Sequence, residues 1–124
     1  IENFKIIPAG IYSKKDEYLL PLRWAAIMSP RVQCDISATT GVHSGETVIK
    51  FLLAGAKTVQ VVSALYKKDK SYLAEFLKEI EFWMQRHKFK TIDEFCGKMS
   101  QAKVDDAALF ERVQFMRLFQ NVEN

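Results

Sequence analysis

Gly41 and Ser44 close one short turn, and one helix and one strand later Ser63 and Ala64 form a second. Glycine, serine and alanine let a backbone come close to a ligand, and each free N–H that donates to an anion contributes roughly 1.5–3 kcal/mol. A helix starting just after such a turn adds about 0.3–1 kcal/mol through its dipole. Two adjacent turns of this kind could hold a phosphate without any charged side chain. On local pattern alone, an ordinary turn glycine and an ordinary helix cap fit Gly41 and Ser44 equally well.

These turns belong to a run that reads as strand, helix, strand. Val32, Cys34, Ile36 and Ala38 alternate, which predicts a strand over Val32–Ala38 ending at Thr39-Thr40-Gly41. Ser44 is placed to cap a helix to about Ala54, with Gly55 as its C-terminal stop. Thr58–Val62 is β-branched on both faces, as in a parallel strand covered by helices. Both turns then follow the C-terminal ends of parallel strands, where α/β proteins bind ligands.

Around this unit, Phe4–Ile7 reads as a short strand or arm, and Glu17–Met28 as a helix with Pro21 in its first turn. Asp69–His87 reads as a long amphipathic helix burying Tyr72, Leu73, Phe76, Leu77, Ile80 and Trp83. Thr91 and Glu94 form a capping-box pattern before a short helix, and Asp106 to about Gln120 reads as a last helix. The division expected is 1–16 as arm or loop, 17–87 as βα units and 88–124 as a helical extension.

Composition narrows the function classes. The chain has 124 residues, 48% hydrophobic and 27% charged, enough for one core. Its net charge of +3 is spread along the chain, so neither a nucleic-acid groove nor a membrane surface is indicated. Cys34 and Cys96 stand alone, without metal-ligand spacing, and fit a reducing, cytoplasmic setting. No apolar run reaches the roughly 18 residues of a membrane helix. The opening Ile1-Glu2-Asn3-Phe4 has no signal or tag character and reads as the interior of a longer chain.

The run "SATTGVHSGETVIKFLLAGAKTVQVVSALY", with Leu22-Arg23 in "LPLRWAAI", resembles the C-terminal FMN-phosphate region of class 1 dihydroorotate dehydrogenases and dihydroorotate dehydrogenase-like flavoproteins. The resemblance covers roughly Tyr18 to Trp83. It implies an FMN-dependent (β/α)8 TIM barrel of the α/β class, of which this chain is a C-terminal fragment. The fragment holds the last two strands, their helices and a helical extension. It also implies that backbone amides of Thr40, Gly41, Val42, Val62, Ser63 and Ala64 hold the FMN phosphate. A small dihydropyrimidine-like molecule is the implied substrate, with no catalytic residue in this segment because the family's proton-abstracting base lies on an upstream loop. The common family form has Gly-Gly where Thr40-Gly41 stands and glycine where Val62 stands. A β-branched Thr40 is therefore expected in an extended conformation.

Other residues have plainer readings. His43 is expected at the surface near a helix start, Asp35 in a structural hydrogen bond within its strand, and Cys34 in the core. Trp24, Trp83 and the phenylalanines are expected to pack, and Lys67-Lys68-Asp69-Lys70 to be solvated. Two parallel strands cannot close a barrel, so the piece is expected to self-associate through exposed edges. The alternatives are a phosphate-binding barrel isomerase or synthase without flavin, and a non-enzymatic helical interaction module.

Overall fold

The structure, a computed structural model, describes residues 12–110. The first expected strand, Phe4–Ile7, and most of the last expected helix lie outside these residues.

Helix α1 spans Leu19–Met28, strand β1 Ser37–Ala38, helix α2 Gly45–Ala54 and strand β2 Thr58–Val59. The strands pair in parallel, Ser37 opposite Thr58 and Ala38 opposite Val59, so the strand-helix-strand reading holds. Both strands are much shorter than the alternation suggested. Each has one paired neighbour, and the ladder extends beyond them only where the Lys57 N–H donates to Ile36 O at 2.8 Å and the Gln60 N–H to Ala38 O at 2.8 Å. Without flanking strands, Val32–Asp35 has no pairing to hold it extended. Cys34 and Asp35 accordingly lie exposed in a loop, correcting the expectation of a core thiol and of a hydrogen-bonded strand carboxylate.

The ends of α2 follow the sequence closely. The Thr47 N–H donates to Ser44 Oγ at 3.3 Å. At the other end Gly55 takes φ +107°, its N–H reaching Leu52 O while the Ala56 N–H reaches Phe51 O at 3.0 Å. This left-handed terminus satisfies two carbonyls that would otherwise be orphaned.

Helices α3 (Ser63–Lys67) and α4 (Tyr72–Arg86) follow, then 3-10 turns at Ile92–Glu94 and Gln101–Lys103. α3 was not expected; it begins inside what the sequence suggested was a plain turn. α4 is shorter than Asp69–His87 and buries Phe76, but Leu73 and Leu77 are 39% and 62% exposed. Its apolar stripe is wider than the narrow seam it shares with α2. The capping box is only half formed. Thr91 is extended at the N-cap but makes no side-chain cap bond, and Glu94 accepts from the Lys90 N–H at 2.9 Å instead.

The core gathers alanines of α1, β1 and α2 around Phe51, with Phe76 reaching in from α4. Small side chains let these elements approach closely while one large ring fills the centre. Phe95 is buried beside Trp83 and Phe89, ring centroids 5.0 and 5.4 Å away. The observed architecture is thus helical, built round a small parallel two-stranded α/β unit.

Candidate functional site

Parallel pairing puts the ends of β1 and β2 side by side, and the chain leaving each end enters one of the two turns. Between them lies a polar depression of about 300 Å³, lined by Thr40, Gly41, Val42, Val62 and Ser63 together with Ser13, Glu17, Thr39 and Gln60. Five of the six sequence-selected positions therefore meet. The sixth, Ala64, is only 1% exposed and packs in the core behind the depression. Val42 does both, its side chain 3% exposed in the core cluster and the residue lining the depression.

The first turn is left-handed at two successive residues, Thr40 at φ +79° and Gly41 at φ +69°. Thr40 is thus not extended, contrary to expectation. Gly41 explains the shape. A Cβ there would collide with the backbone nitrogen of Tyr18 and lie 3.0 Å from the carbonyl carbon of Glu17. The turn is pressed against the residues leading into α1, and the chain must reverse tightly to leave β1 and start α2. A β-branched residue in the left-handed region costs about 1–3 kcal/mol. Thr40→Gly is therefore expected to stabilise the chain by about 1 kcal/mol, after allowing for the greater freedom of glycine in the unfolded state. Urea denaturation measures it, and a loss of stability would show that the Thr40 side chain makes a contact worth more than the strain.

Donors are abundant here. The N–H groups of Thr40, Gly41, Val42, Ser63 and Ala64 donate to no other residue among those described. Those of Ser63 and Ala64 open α3, where the first turn of a helix leaves its amides unpaired. The first turn of α2 contributes less. Its Gly45 N–H donates to Glu79 Oε2 at 2.6 Å, so a carboxylate from α4 already occupies that helix terminus.

Ser13 is the residue that pattern reading missed. Its N–H and its hydroxyl each donate to Ser63 Oγ at 3.0 Å. Its carbonyl accepts from His43 Nε2 at 2.9 Å and from Lys67 Nζ at 3.3 Å. Tyr12 packs on Tyr66 with ring centroids 5.5 Å apart. Residues 12 and 13 thus clasp the first turn, through His43, to the second, through Ser63. His43 is half-buried in this clasp rather than a plain surface group. No periodicity marks Ser13, because its role depends on contacts across 30 and 50 residues of chain.

Tyr18 sits beneath Gly41 and accepts from Lys50 Nζ at 3.1 Å, while Lys50 also pairs with Glu46 at 2.7 Å. The hydrogen bond from Lys50 holds the Glu46 carboxyl below its ordinary range, and the bonds to Glu46 and Tyr18 hold the Lys50 ammonium above its own. Among the described residues no cluster of His, Cys, Asp and Glu could hold a metal. Among them, too, no helix is long and apolar enough to cross a membrane.

No family model matches the chain. It is 34% identical over 86 residues to the dihydroorotate dehydrogenase (fumarate) of Trypanosoma brucei brucei, an alignment covering 67% of this chain and 28% of the relative. It is 31% identical over 72 residues to dihydroorotate dehydrogenase A (fumarate) of Lactococcus lactis subsp. cremoris, covering 58% of this chain and 22% of the relative. Chloroplastic dihydropyrimidine dehydrogenase (NADP(+)) of Arabidopsis thaliana is 32% identical over 66 residues, with 53% and 16% covered. The chain thus spans less than a third of the length of these relatives.

Proposed function

Because this chain is related to the dihydroorotate dehydrogenases, we propose that it is the C-terminal part of an FMN-dependent (β/α)8 barrel oxidoreductase acting on dihydroorotate or a related dihydropyrimidine. Its own task is to anchor the FMN phosphate, and the observation that carries this is the set of undonated amides from both turns around one polar depression. Phosphate sites built from the loops after the last two strands recur in barrels of this kind.

The residues present fit that group. Thr40, Gly41 and Val42 offer three consecutive N–H donors and Ser63 and Ala64 two more, in a cleft with room for a phosphate and the start of its chain. FMN, when bound, supplies hydride acceptance. The residues of this chain bind and orient it through the phosphate and hold no proton in the reaction. Substrate contacts and the catalytic base belong to the remainder of the barrel, and the Ser13–His43–Ser63 clasp keeps the two turns at the spacing the phosphate needs. Free Cys34 and Cys96 suit a reducing, cytoplasmic setting.

The test is reconstitution of the full-length protein. Titration of its apo-form with FMN, followed by flavin fluorescence, should give a saturable, yellow complex that oxidises dihydroorotate. The isolated 124-residue chain should show no dye reduction above a no-protein control. A full-length protein that stays colourless and takes up no FMN would overturn the reading.

The isolated chain is also expected to self-associate. Leu20, Trp24, Leu77 and Phe82 are 60%, 45%, 62% and 67% exposed, and each strand has one unpaired edge. Apolar surface of this extent is uncommon on monomers. Light scattering at micromolar concentration should give a dimer or larger species, and a strictly monomeric folded chain would contradict it.

A further inference from the structure

The amides account for a phosphate, but the depression also carries hydrogen-bond acceptors, for which a phosphate has no use. Glu17 is exposed and is the one charged residue among those lining the cleft, its backbone seated against Gly41. Gln60 donates through Nε2 to Ser37 Oγ at 3.0 Å, which leaves its side-chain carbonyl as the acceptor. Ser63 Oγ already accepts twice from Ser13, so its own proton is the part of that hydroxyl left for a ligand. The cleft thus pairs a field of donors, suited to phosphate oxygens, with a carboxylate and an amide carbonyl suited to hydroxyl protons.

Inorganic phosphate gains little from such a site. It would meet the donors, but its negative charge would lie near the Glu17 carboxylate, and like charges repel at this range. A phosphorylated polyol meets the same repulsion and offsets it, because hydroxyls next to the phosphate can donate to Glu17 and Gln60. We infer that Glu17 and Gln60 are specificity-determining residues which select a phosphorylated polyol, such as the ribityl phosphate of FMN, over free phosphate. This rests on the anchoring role proposed above and adds the basis of its selectivity. A site that hydrogen-bonds a ligand hydroxyl discriminates strongly against ligands that lack it, since its polar groups are then left unpaired.

The experiment uses the full-length apo-protein, titrated with FMN by flavin fluorescence and with inorganic phosphate by competition. Glu17→Ala should lower FMN affinity by about tenfold, as expected for losing a charged hydrogen-bond acceptor at a partly solvated site, and raise phosphate affinity by about threefold. Glu17→Gln, which keeps a carbonyl but not the charge, should fall between wild type and alanine in its FMN-to-phosphate ratio. Glu17 is exposed, so both variants should keep the wild-type unfolding transition. If the ratio is the same in Glu17→Ala and wild type, the selectivity assignment is overturned while phosphate anchoring stands. If the wild type binds neither FMN nor phosphate, both readings fall together.

Discussion

Gly41→Val should destabilise the chain by about 2–5 kcal/mol and strip the full-length protein of FMN. Two costs add. A β-branched residue at φ +69° costs about 1–3 kcal/mol. The Cβ would also meet the Tyr18 backbone nitrogen, which cannot swing aside as a side chain can, and overpacking of this kind costs a further 1–3 kcal/mol or so. The turn must then shift away from α1, moving the Thr40, Gly41 and Val42 amides out of line with Ser63 and Ala64. Urea denaturation reads the first effect. Fluorimetric FMN titration, at a temperature where circular dichroism shows the variant folded, reads the second. Unchanged stability would mean that Gly41 is not pressed against Tyr18, and unchanged affinity in a folded variant would remove Gly41 from the site.

Phe51→Ala should be comparably damaging for a different reason. Phe51 is 0% exposed at the centre of α2, the helix that touches α1, β2 and α4. Removing a buried ring costs about 3–5 kcal/mol, the lost transfer energy plus the cavity left behind. Against a usual domain stability of about 5–15 kcal/mol, this takes a large share. The midpoint of thermal unfolding should fall by roughly 10 °C or more. Phe82→Ala serves as the control, since Phe82 is 67% exposed and its loss should stay within about 0.5 kcal/mol. If both variants unfold alike, α2 is not the hub of the core.

Local chemistry was legible in the sequence wherever a residue acts on its own neighbours. Ser44 caps α2 and Gly55 ends it because both interactions close within five residues of chain, so composition and spacing carry the information. The strand-helix-strand order and the parallel pairing follow from the same kind of signal, alternation followed by helical periodicity. The choice of Gly41 and Ser63 as site residues also came from sequence, since small residues after strand ends are positions where backbone can meet ligand.

Only the tertiary structure decided how far each element extends and what closes the site. Val32–Asp35 alternates like a strand, yet a ladder needs a neighbour, and the one available reaches no further than Ile36; Cys34 therefore lies exposed. Leu73 and Leu77 keep helical spacing on α4, but how much of a stripe is buried depends on the width of the facing surface, which α4's own residues do not encode. Thr40 takes a left-handed conformation that its side chain disfavours because the strand end, the α2 start and the Glu17–Tyr18 backbone leave the turn one path. Ser13 joins the site through partners 30 and 50 residues away, and no local pattern anticipates a bond between segments that only folding brings together. The sequence by itself determined which backbone could receive a phosphate; the packing of α1 beneath that turn decided the shape in which it is offered.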